Sequence, residues 1–298
     1  MPNLPADLHR DDFDRAAAIL DALTLTLARS ENGRIALRVP PGSGPDVTRD
    51  RGQTHCHPWP EMFLQLAGGC RFTLPKAQVD LAAGEVLIMP PWEPHAERTT
   101  RPETFCNLVV ATGTTSMFVH LAYAGADGAP RVQGSHSLRF LPPGRTRAQD
   151  LLADVAASAR GERGEARRQA YFNAFLALCC EAVAVGAQAD EPALVAQARA
   201  IVRLRYLEPE LTAGTLAQHC GVTPDHLARM MRRHGLPGPS EFINATRLEA
   251  AKRMLEDTGR GIGEVAAACG YRDPGYLARR FRRRFGDSPR RHRQRSRG

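Results

Sequence analysis

The sequence contains no apolar run near the roughly 18 residues that a membrane-spanning helix needs. Its first residues lack the charged and apolar regions of a secretory signal peptide, so we expect a cytoplasmic protein without a membrane partner. The seven cysteines are an odd number with no Cys-x-x-Cys spacing, which argues against a disulfide framework or a zinc finger. The chain also lacks a serine–histidine–aspartate order, a phosphate-binding loop and a nucleotide fingerprint. We therefore expect that it is not an enzyme.

What the sequence does contain is one pattern written twice in its last hundred residues. Each copy has a short apolar segment, then a glycine, then a threonine or aspartate directly before a proline. The copies span residues 216–231 and 265–281. Gly221 and Gly270 suit the left-handed end of a helix, and Thr223 and Asp273 can cap the helix that follows. This order predicts two helix-turn-helix motifs.

The second helix of each predicted motif carries arginines outside its apolar face. The apolar residues lie four apart and are expected to face the core; they are Leu227 and Met231 in the first motif, and Leu277 and Phe281 in the second. The arginines then point elsewhere, and they are Arg229, Arg232, Arg279 and Arg282. Arginine can bond guanine through two hydrogen bonds in the major groove, where such helices lie. The pattern predicts contacts with double-stranded DNA, and for any single arginine the alternative is a solvated helix face.

The positive charge is concentrated in the same region. The chain has a net charge of +8, but residues 196–298 carry 21 Lys and Arg against 10 Asp and Glu, whereas residues 1–195 carry 19 against 22. This asymmetry is typical of a nucleic-acid-binding domain joined to a domain with another task.

The region before the repeats contains two kinds of sequence pattern. Short apolar runs broken by glycine and proline over about residues 35–140 predict an antiparallel sheet or barrel. Residues 147–185 read as two helices separated by residues 161–164, and residues 240–256 as one helix connecting the two motifs. We predict an α+β fold, with an N-terminal antiparallel β-barrel and a helical pair followed by an all-α domain of two helix-turn-helix motifs. The predicted boundaries are 1–145 for the barrel domain, 146–186 for a helical dimerisation segment, 187–192 for a linker and 193–298 for the DNA-binding domain.

The helical pair predicts a homodimer. It carries more apolar side chains than two isolated helices can hide, and a twofold interface would cover them. They are Leu151, Leu152, Val155, Phe172, Phe175 and Leu176. Packing back onto the barrel is the alternative.

Residues 262–289 resemble the signature of the AraC/XylS-type transcription regulators. The resemblance includes the apolar–Ala–Cys–Gly–aromatic core, the Leu-x-Arg-x-Phe helix and the closing Gly-x-Ser-Pro, and it extends over about residues 194–292. It implies base reading by positions that correspond here to Asp225, Ala228 and Arg229, and to Gly275, Ala278 and Arg279. Met231 departs from the usual Phe. Because the alanines and Gly275 offer no hydrogen bonds, specificity is expected to rest on Arg229 and Arg279, with thymine-methyl contacts or DNA shape.

Two stretches of the barrel region, residues 52–61 with Gly68 and residues 84–95, are similar to the two cupin motifs. In a strand, His55 and His57 point to the same face. With Glu61 and His95 they offer three imidazoles and one carboxylate, a ligand set for a divalent transition metal, which in metal-dependent cupins is bound at these positions. The alternative is an organic-effector pocket, or plain barrel structure, without metal. Trp92 stands where a glycine is usual and Thr99 where an asparagine often is, and Trp59 and Trp92 could line an apolar pocket.

Together these features favour a transcription regulator that responds to a small-molecule effector bound in the cupin domain. No cofactor is expected to be required, with a divalent transition metal in the cupin site as the open alternative, and RNA polymerase is a further candidate partner. The second hypothesis is a metal-dependent cupin oxygenase or isomerase fused to a DNA-binding domain. The third is a constitutive DNA-binding protein whose cupin domain only assembles dimers.

Overall fold

The computed structural model describes residues 15–40, 56–57, 59–100, 105–112, 117–124, 130–140, 147–158, 161–186, 192–257 and 259–297. The chain divides into two compact units, residues 1–191 and 192–298, called here the N-terminal and the C-terminal unit. In the described residues no helix is both long and apolar enough to cross a membrane. The predicted linker, residues 187–192, lies outside the described residues except for Pro192.

The described strands of the N-terminal unit form two sheets. The strands are β1 (Leu37–Arg38), β2 (Glu61–Ala67), β3 (Gly69–Leu74), β4 (Ala77–Ala82), β5 (Val86–Met89), β6 (Ala96–Thr99), β7 (Cys106–Thr112), β8 (Met117–Ala124) and β9 (Pro130–Phe140). The larger sheet has the order β1-β5-β2-β7-β8-β9 and the smaller one the order β4-β3-β6. All pairings are antiparallel except β1 with β5. The predicted antiparallel sheet is confirmed, but the described strands form two sheets that share a core rather than one closed barrel.

Successive residues of the larger sheet serve two different cores, because side chains alternate between the faces of a strand. On β2, Met62 and Leu64 lie in a core shared with the helices of the unit, whereas Phe63 lies in a core shared with the smaller sheet. The same alternation on β5 places Ile88 among the helices and Leu87 against the smaller sheet. The helices and the smaller sheet thus cover opposite faces of the larger sheet.

Three helices cover the outer face: α1 (Arg15–Glu31), α2 (Arg147–Ala157) and α3 (Glu162–Gly186). The predicted helical pair is present, although α3 begins at Glu162, so Gly164 lies within the helix rather than in the turn. Helix α1 was not predicted from the sequence; its Ile19 and Leu23 are fully buried in the same core as α3.

The apolar residues that motivated the dimer prediction are used within one chain. Leu152, Val155, Phe172, Phe175 and Leu176 are all 0% exposed and share a core with α1 and the larger sheet, whereas Leu151 is only partly buried. This is the packing that the sequence analysis gave as its alternative. Dimerisation stays a prediction, and its interface must be built from other side chains.

The C-terminal unit is all-helical: α4 (Ala193–Arg205), α5 (Ala213–His219), α6 (Pro224–Arg233), α7 (Pro239–Asp257), α8 (Ile262–Ala268), α9 (Pro274–Phe285) and α10 (Pro289–Arg297). The predicted turn chemistry of both motifs is confirmed. Gly221 and Gly270 have φ of +69° and +76°, in the left-handed region. The Thr223 hydroxyl accepts from the His226 amide, and the Asp273 carboxylate accepts from the amides of Gly275 and Tyr276. The connecting helix α7 extends the predicted one by a residue at each end.

Burial of Phe175 leads to a prediction that separates core packing from dimerisation. Replacing Phe175 with Ala should lower the free energy of unfolding of the N-terminal unit by about 3–5 kcal/mol, because it leaves a cavity in a closed core. Urea unfolding of the full chain, followed by circular dichroism, measures the effect. The control is Leu178→Ala in the same helix, which removes a partly buried side chain and should cost less. A variant that unfolds normally but changes oligomeric state would instead place Phe175 in an interface.

Candidate nucleic-acid interface and buried histidine–glutamate cluster

The second helices of the two motifs, α6 and α9, present matching outer faces. Both bury the predicted core pairs, since Leu227, Met231, Leu277 and Phe281 are 0% exposed. The arginines predicted to contact DNA are all exposed; they are Arg229, Arg232, Arg279 and Arg282. Asp225 and Gly275 are exposed at corresponding positions, and Ala228 and Ala278 are half-buried at the next corresponding pair. The predicted DNA-contact residues thus lie outside the fully buried core of α6 and α9, and their contact with DNA stays a prediction.

Not every arginine of α9 faces outward. The Arg280 guanidinium donates to the Glu241 carboxylate over 2.7 Å, and Arg284 donates to Glu249 over 2.8 Å. Both carboxylates lie on α7, so these two arginines fasten α9 to the connecting helix. Hydrogen bonding to Glu241 raises the pKa of Arg280 above its ordinary value. Arg280 and Arg284 are thus paired with α7, whereas Arg279 pairs with Asp273 at the start of its own helix and Arg282 lies exposed.

Tyr276 was missed by the sequence analysis. Within the described part of the chain it is the one exposed large apolar side chain, at 40% exposure, and it lies in the first turn of α9. The Arg279 guanidinium lies 6.0 Å from the centre of its ring and 3.5 Å from the Asp273 carboxylate. An aromatic residue one position before the apolar residue Leu277 lies off the buried face, which is the signal that could have revealed it. The ring and the guanidinium form one surface suited to the apolar and polar edges of a base.

The N-terminal unit holds a buried cluster of His57, Glu61 and His95. One potential ligand atom from each residue lies within 4.8 Å of the others. Glu61 begins β2 and faces the smaller sheet, by the same alternation that turns Phe63 that way. His57 lies just before β2 and His95 just before β6. His57 Nε2 lies 3.5 Å from Glu61 Oε2. His55, the fourth predicted ligand, lies outside the described residues.

The surroundings of His95 fix its tautomer. Its Nδ1 lies 3.0 Å from the main-chain carbonyl of Glu93, and since a carbonyl only accepts, Nδ1 carries the proton. Burial lowers the pKa of His95 to about 4, with the nearby His57 adding to the effect, so the imidazole is neutral at pH 7. Its Nε2 then has a lone pair directed away from Glu93. This is the arrangement in which a histidine binds a metal ion, with the other ring nitrogen held by a backbone carbonyl.

Glu97 is a second residue that the sequence analysis missed. Its carboxylate lies 4.0 Å from His95 Nε2. Burial, together with the charge of Glu61, raises the pKa of Glu97 to about 8. The signal was available, because Glu97 follows His95 by two residues and therefore points to the same face of the strand. Among the described residues the site therefore has two imidazoles, and Glu97 adds a second carboxyl group beside His95.

Both predicted pocket tryptophans are buried, Trp59 at 8% and Trp92 at 4% exposure. Trp92 has a φ of +63°, a left-handed conformation that favours glycine, which explains why glycine is usual at this position. Its backbone amide donates to the His57 carbonyl over 2.7 Å. The loop before β6 is therefore bonded to the segment that carries His57.

Apolar rings enclose the remaining side of the cluster. Phe63 and Phe72 stack edge to face with ring centres 4.8 Å apart, and their centres lie 5.9 and 6.5 Å from that of His95. Thr99, which stands where cupins often have asparagine, is 7% exposed. The site therefore combines a few polar groups with an apolar wall, as small-molecule sites do.

Comparison with known proteins gives the same two parts. Residues 216–295 match the family described as Helix-turn-helix domain, of the AraC type, and residues 39–111 match the Cupin domain family. The chain thus carries an AraC-type helix-turn-helix domain and a cupin domain. The cupin domain precedes the helix-turn-helix domain, as the sequence resemblance predicted.

Similar proteins carry regulator names. The HTH-type transcriptional regulator CdhR of Pseudomonas aeruginosa is 39% identical over 85 residues, which is 28% of this chain but only 25% of that protein. The uncharacterized HTH-type transcriptional regulator YpdC of Escherichia coli K12 is 24% identical over 237 residues, covering 78% of this chain and 81% of that protein. A solved structure of the DNA-binding domain of AdpA with a target DNA is 28% identical with a TM-score of 0.33, covering 37% of this chain and 95% of that one.

The division of the α9 arginines leads to a matched prediction. Arg279→Ala should weaken binding to a specific duplex by about 1–3 kcal/mol and relax the preference at one base pair, because it removes the predicted base contact. Arg284→Ala removes the same charge from the same helix but breaks contacts with Glu249 and the Phe285 ring, and should leave the base preference intact. Fluorescence anisotropy with a duplex that the wild-type chain selects from a random library measures both. Equal loss in both variants, without a change in base preference, would make Arg279 a general electrostatic contributor.

Proposed function

We propose that this protein is a sequence-specific transcription regulator whose operator binding responds to a small-molecule effector held in the cupin domain. The observation that carries the proposal is that one chain has exposed arginines on both α6 and α9 and, in a separate unit, a buried polar cluster. The exposed arginines suit DNA, and the buried cluster suits a ligand.

The DNA-reading part of the proposal follows from the outer faces of α6 and α9. Arg229 and Arg279 occupy corresponding exposed positions, whereas Ala228, Gly275 and Ala278 offer only apolar contact. Specificity would then combine two arginine contacts with thymine-methyl packing and DNA shape. Tyr276 adds an aromatic contact in the second motif only, so the two half-sites should differ in sequence. RNA polymerase is a further candidate partner of the bound regulator.

The effector would occupy the space near His57, Glu61 and His95, with Trp59 and Trp92 beside it. Groups that offer two imidazoles and a carboxylate would bind an effector carrying hydrogen-bond donors or a positive charge. Such an effector changes DNA binding only if its affinity differs between the DNA-bound and free forms of the regulator. In a homodimer, binding of one effector molecule could affect two DNA-binding domains, and dimerisation stays part of the proposal.

The second candidate function, a metal-dependent cupin enzyme fused to a DNA-binding domain, is favoured by one observation. The cluster fits a divalent transition metal, because potential ligand atoms of two imidazoles and one carboxylate, from His57, His95 and Glu61, lie within 4.8 Å of one another. When bound, such a metal would supply Lewis-acid or oxygen chemistry. The residues themselves would hold it, with the Glu93 carbonyl orienting His95 and the rings of Phe63 and Phe72 excluding water.

The response of DNA binding to the effector tests the leading proposal. An effector found by a thermal-shift screen of small metabolites should raise the melting temperature, and it should change operator affinity roughly 5–150-fold, with the reciprocal change in effector affinity when operator is present. The double variant His57→Gln with Glu61→Gln should lose this response and keep wild-type operator affinity without effector, since neither residue lies in the C-terminal unit. Thr24→Ala, on a helix outside the cluster, is the control. A normal response from the double variant would show that the effector binds elsewhere.

Metal analysis of the purified chain separates the two candidates. If the site is a metal centre, elemental analysis should give about one transition-metal ion per chain, and the His57→Gln, Glu61→Gln variant should lose it. The same measurement on a Cys70→Ala variant controls for metal bound to a thiol, because Cys70 is buried nearby on β3. Metal content that is unaffected by the double variant would place the ion outside this cluster.

A further inference from the structure

Arg247, on the connecting helix α7, reaches out of its own helix to the first motif. It is 8% exposed. Its guanidinium donates to three main-chain carbonyls: Tyr206 over 2.7 Å, Glu208 over 2.6 Å and Leu211 over 3.2 Å. Tyr206 is the C-cap of α4, and the other two lie in the turn that leads to α5. One charged side chain therefore satisfies the end of α4 and shapes the approach to the first motif.

The turn of the second motif packs against the same end of α4, at the carbonyls of Tyr206 and Leu207. A Cβ atom built at Gly270 would lie 2.7 Å from the Tyr206 oxygen, and 3.0 Å from both the Leu207 oxygen and Arg247 Nε. The corresponding glycine of the first motif, Gly221, has no such neighbour within 4 Å. Both glycines share the left-handed conformation, but only Gly270 is also in close contact with the end of α4 and with Arg247 of α7.

The two residues that follow Gly270, Tyr271 and Arg272, add to this contact. The Tyr271 hydroxyl donates to the Asn244 carbonyl of α7 over 3.4 Å, and its ring centre lies 5.9 Å from the Arg247 guanidinium carbon. Arg272 pairs with Glu210, in the turn before α5, at 3.2 Å. Val222 occupies the position of Tyr271 in the first motif. The second repeat has thus gained a docking surface that the first repeat lacks.

We propose that Arg247 is the positioning residue that sets the spacing between the two recognition helices. Its guanidinium joins the end of α4, helix α7 and the Gly270 turn in one junction, and this holds α6 and α9 in one relative placement. The inference rests on the proposed DNA-reading function. Two helices that enter successive major grooves on one face of B-DNA must be separated by about one helical turn, roughly 34 Å. A rigid junction makes binding of the second helix effectively intramolecular, and that advantage is lost when the spacing varies.

The test compares intact and half sites. The probe is a duplex that the full-length wild-type chain selects from a random library, together with versions in which either half is scrambled or one base pair is inserted or deleted between the halves. Arg247→Lys keeps the charge but cannot reach three carbonyls at once. It should weaken binding to the intact duplex on the order of tenfold or more, leave half-site affinity within about twofold, and flatten the penalty for altered spacing.

A glycine pair provides the matched control. Gly270→Ala should reproduce the effect of Arg247→Lys, because the added methyl group pushes the turn away from the Tyr206 carbonyl. Gly221→Ala carries the same backbone strain without the contact and should retain the wild-type spacing preference. If Arg247→Lys does not fold, as judged by circular dichroism, the comparison of the two glycine variants decides the question.

The outcomes are distinct. Equal weakening on intact and half sites, or an unchanged spacing penalty in both Arg247→Lys and Gly270→Ala, would overturn the positioning role and leave the DNA-reading function standing. A wild-type chain that selects no duplex would overturn the DNA-reading function itself, and this inference with it.

Discussion

The two-residue alternation along the central strands of the larger sheet is the constraint on which the N-terminal unit depends. Met62 and Leu64 must enter the helical core, so Glu61 and Phe63 must enter the space shared with the smaller sheet. A shift of pairing by one residue would exchange the two sets, exposing the carboxylate to the helices and the apolar residues to the cluster. The helices on one face and the polar site on the other are therefore specified together.

Local sequence was sufficient to predict the caps, turns and core pairs of the two helix-turn-helix motifs. Caps, prolines and glycines act within a few residues, and Thr223, Asp273, Gly221 and Gly270 all adopt the predicted roles. The core pairs four apart on α6 and α9 are likewise local. The resemblance to the two cupin motifs predicted one site of His55, His57, Glu61 and His95, and the last three lie together although β2 and β6 belong to different sheets.

What sequence reasoning missed depends on long-range partners. Nothing near Arg280 or Arg284 in the chain distinguishes them from Arg279 and Arg282; their carboxylate partners, Glu241 and Glu249, lie on another helix. The helical pair was expected to need a second chain, since the covering helix α1 comes from the other end of the unit. Two facing sheets and a closed barrel also share one alternation pattern, and only the pairing of β3 with β4 and β6 distinguishes them.

The positions of the tryptophans have a practical consequence. The whole sequence contains two, and both flank the buried cluster, with Trp92 bonded through its amide to the His57 carbonyl. The C-terminal unit has none, so the tryptophan emission of the intact chain originates entirely from the neighbourhood of the cluster. Changes at that site can therefore be followed by tryptophan fluorescence, without a label, while the C-terminal unit is bound to a duplex, because that unit contributes no tryptophan signal.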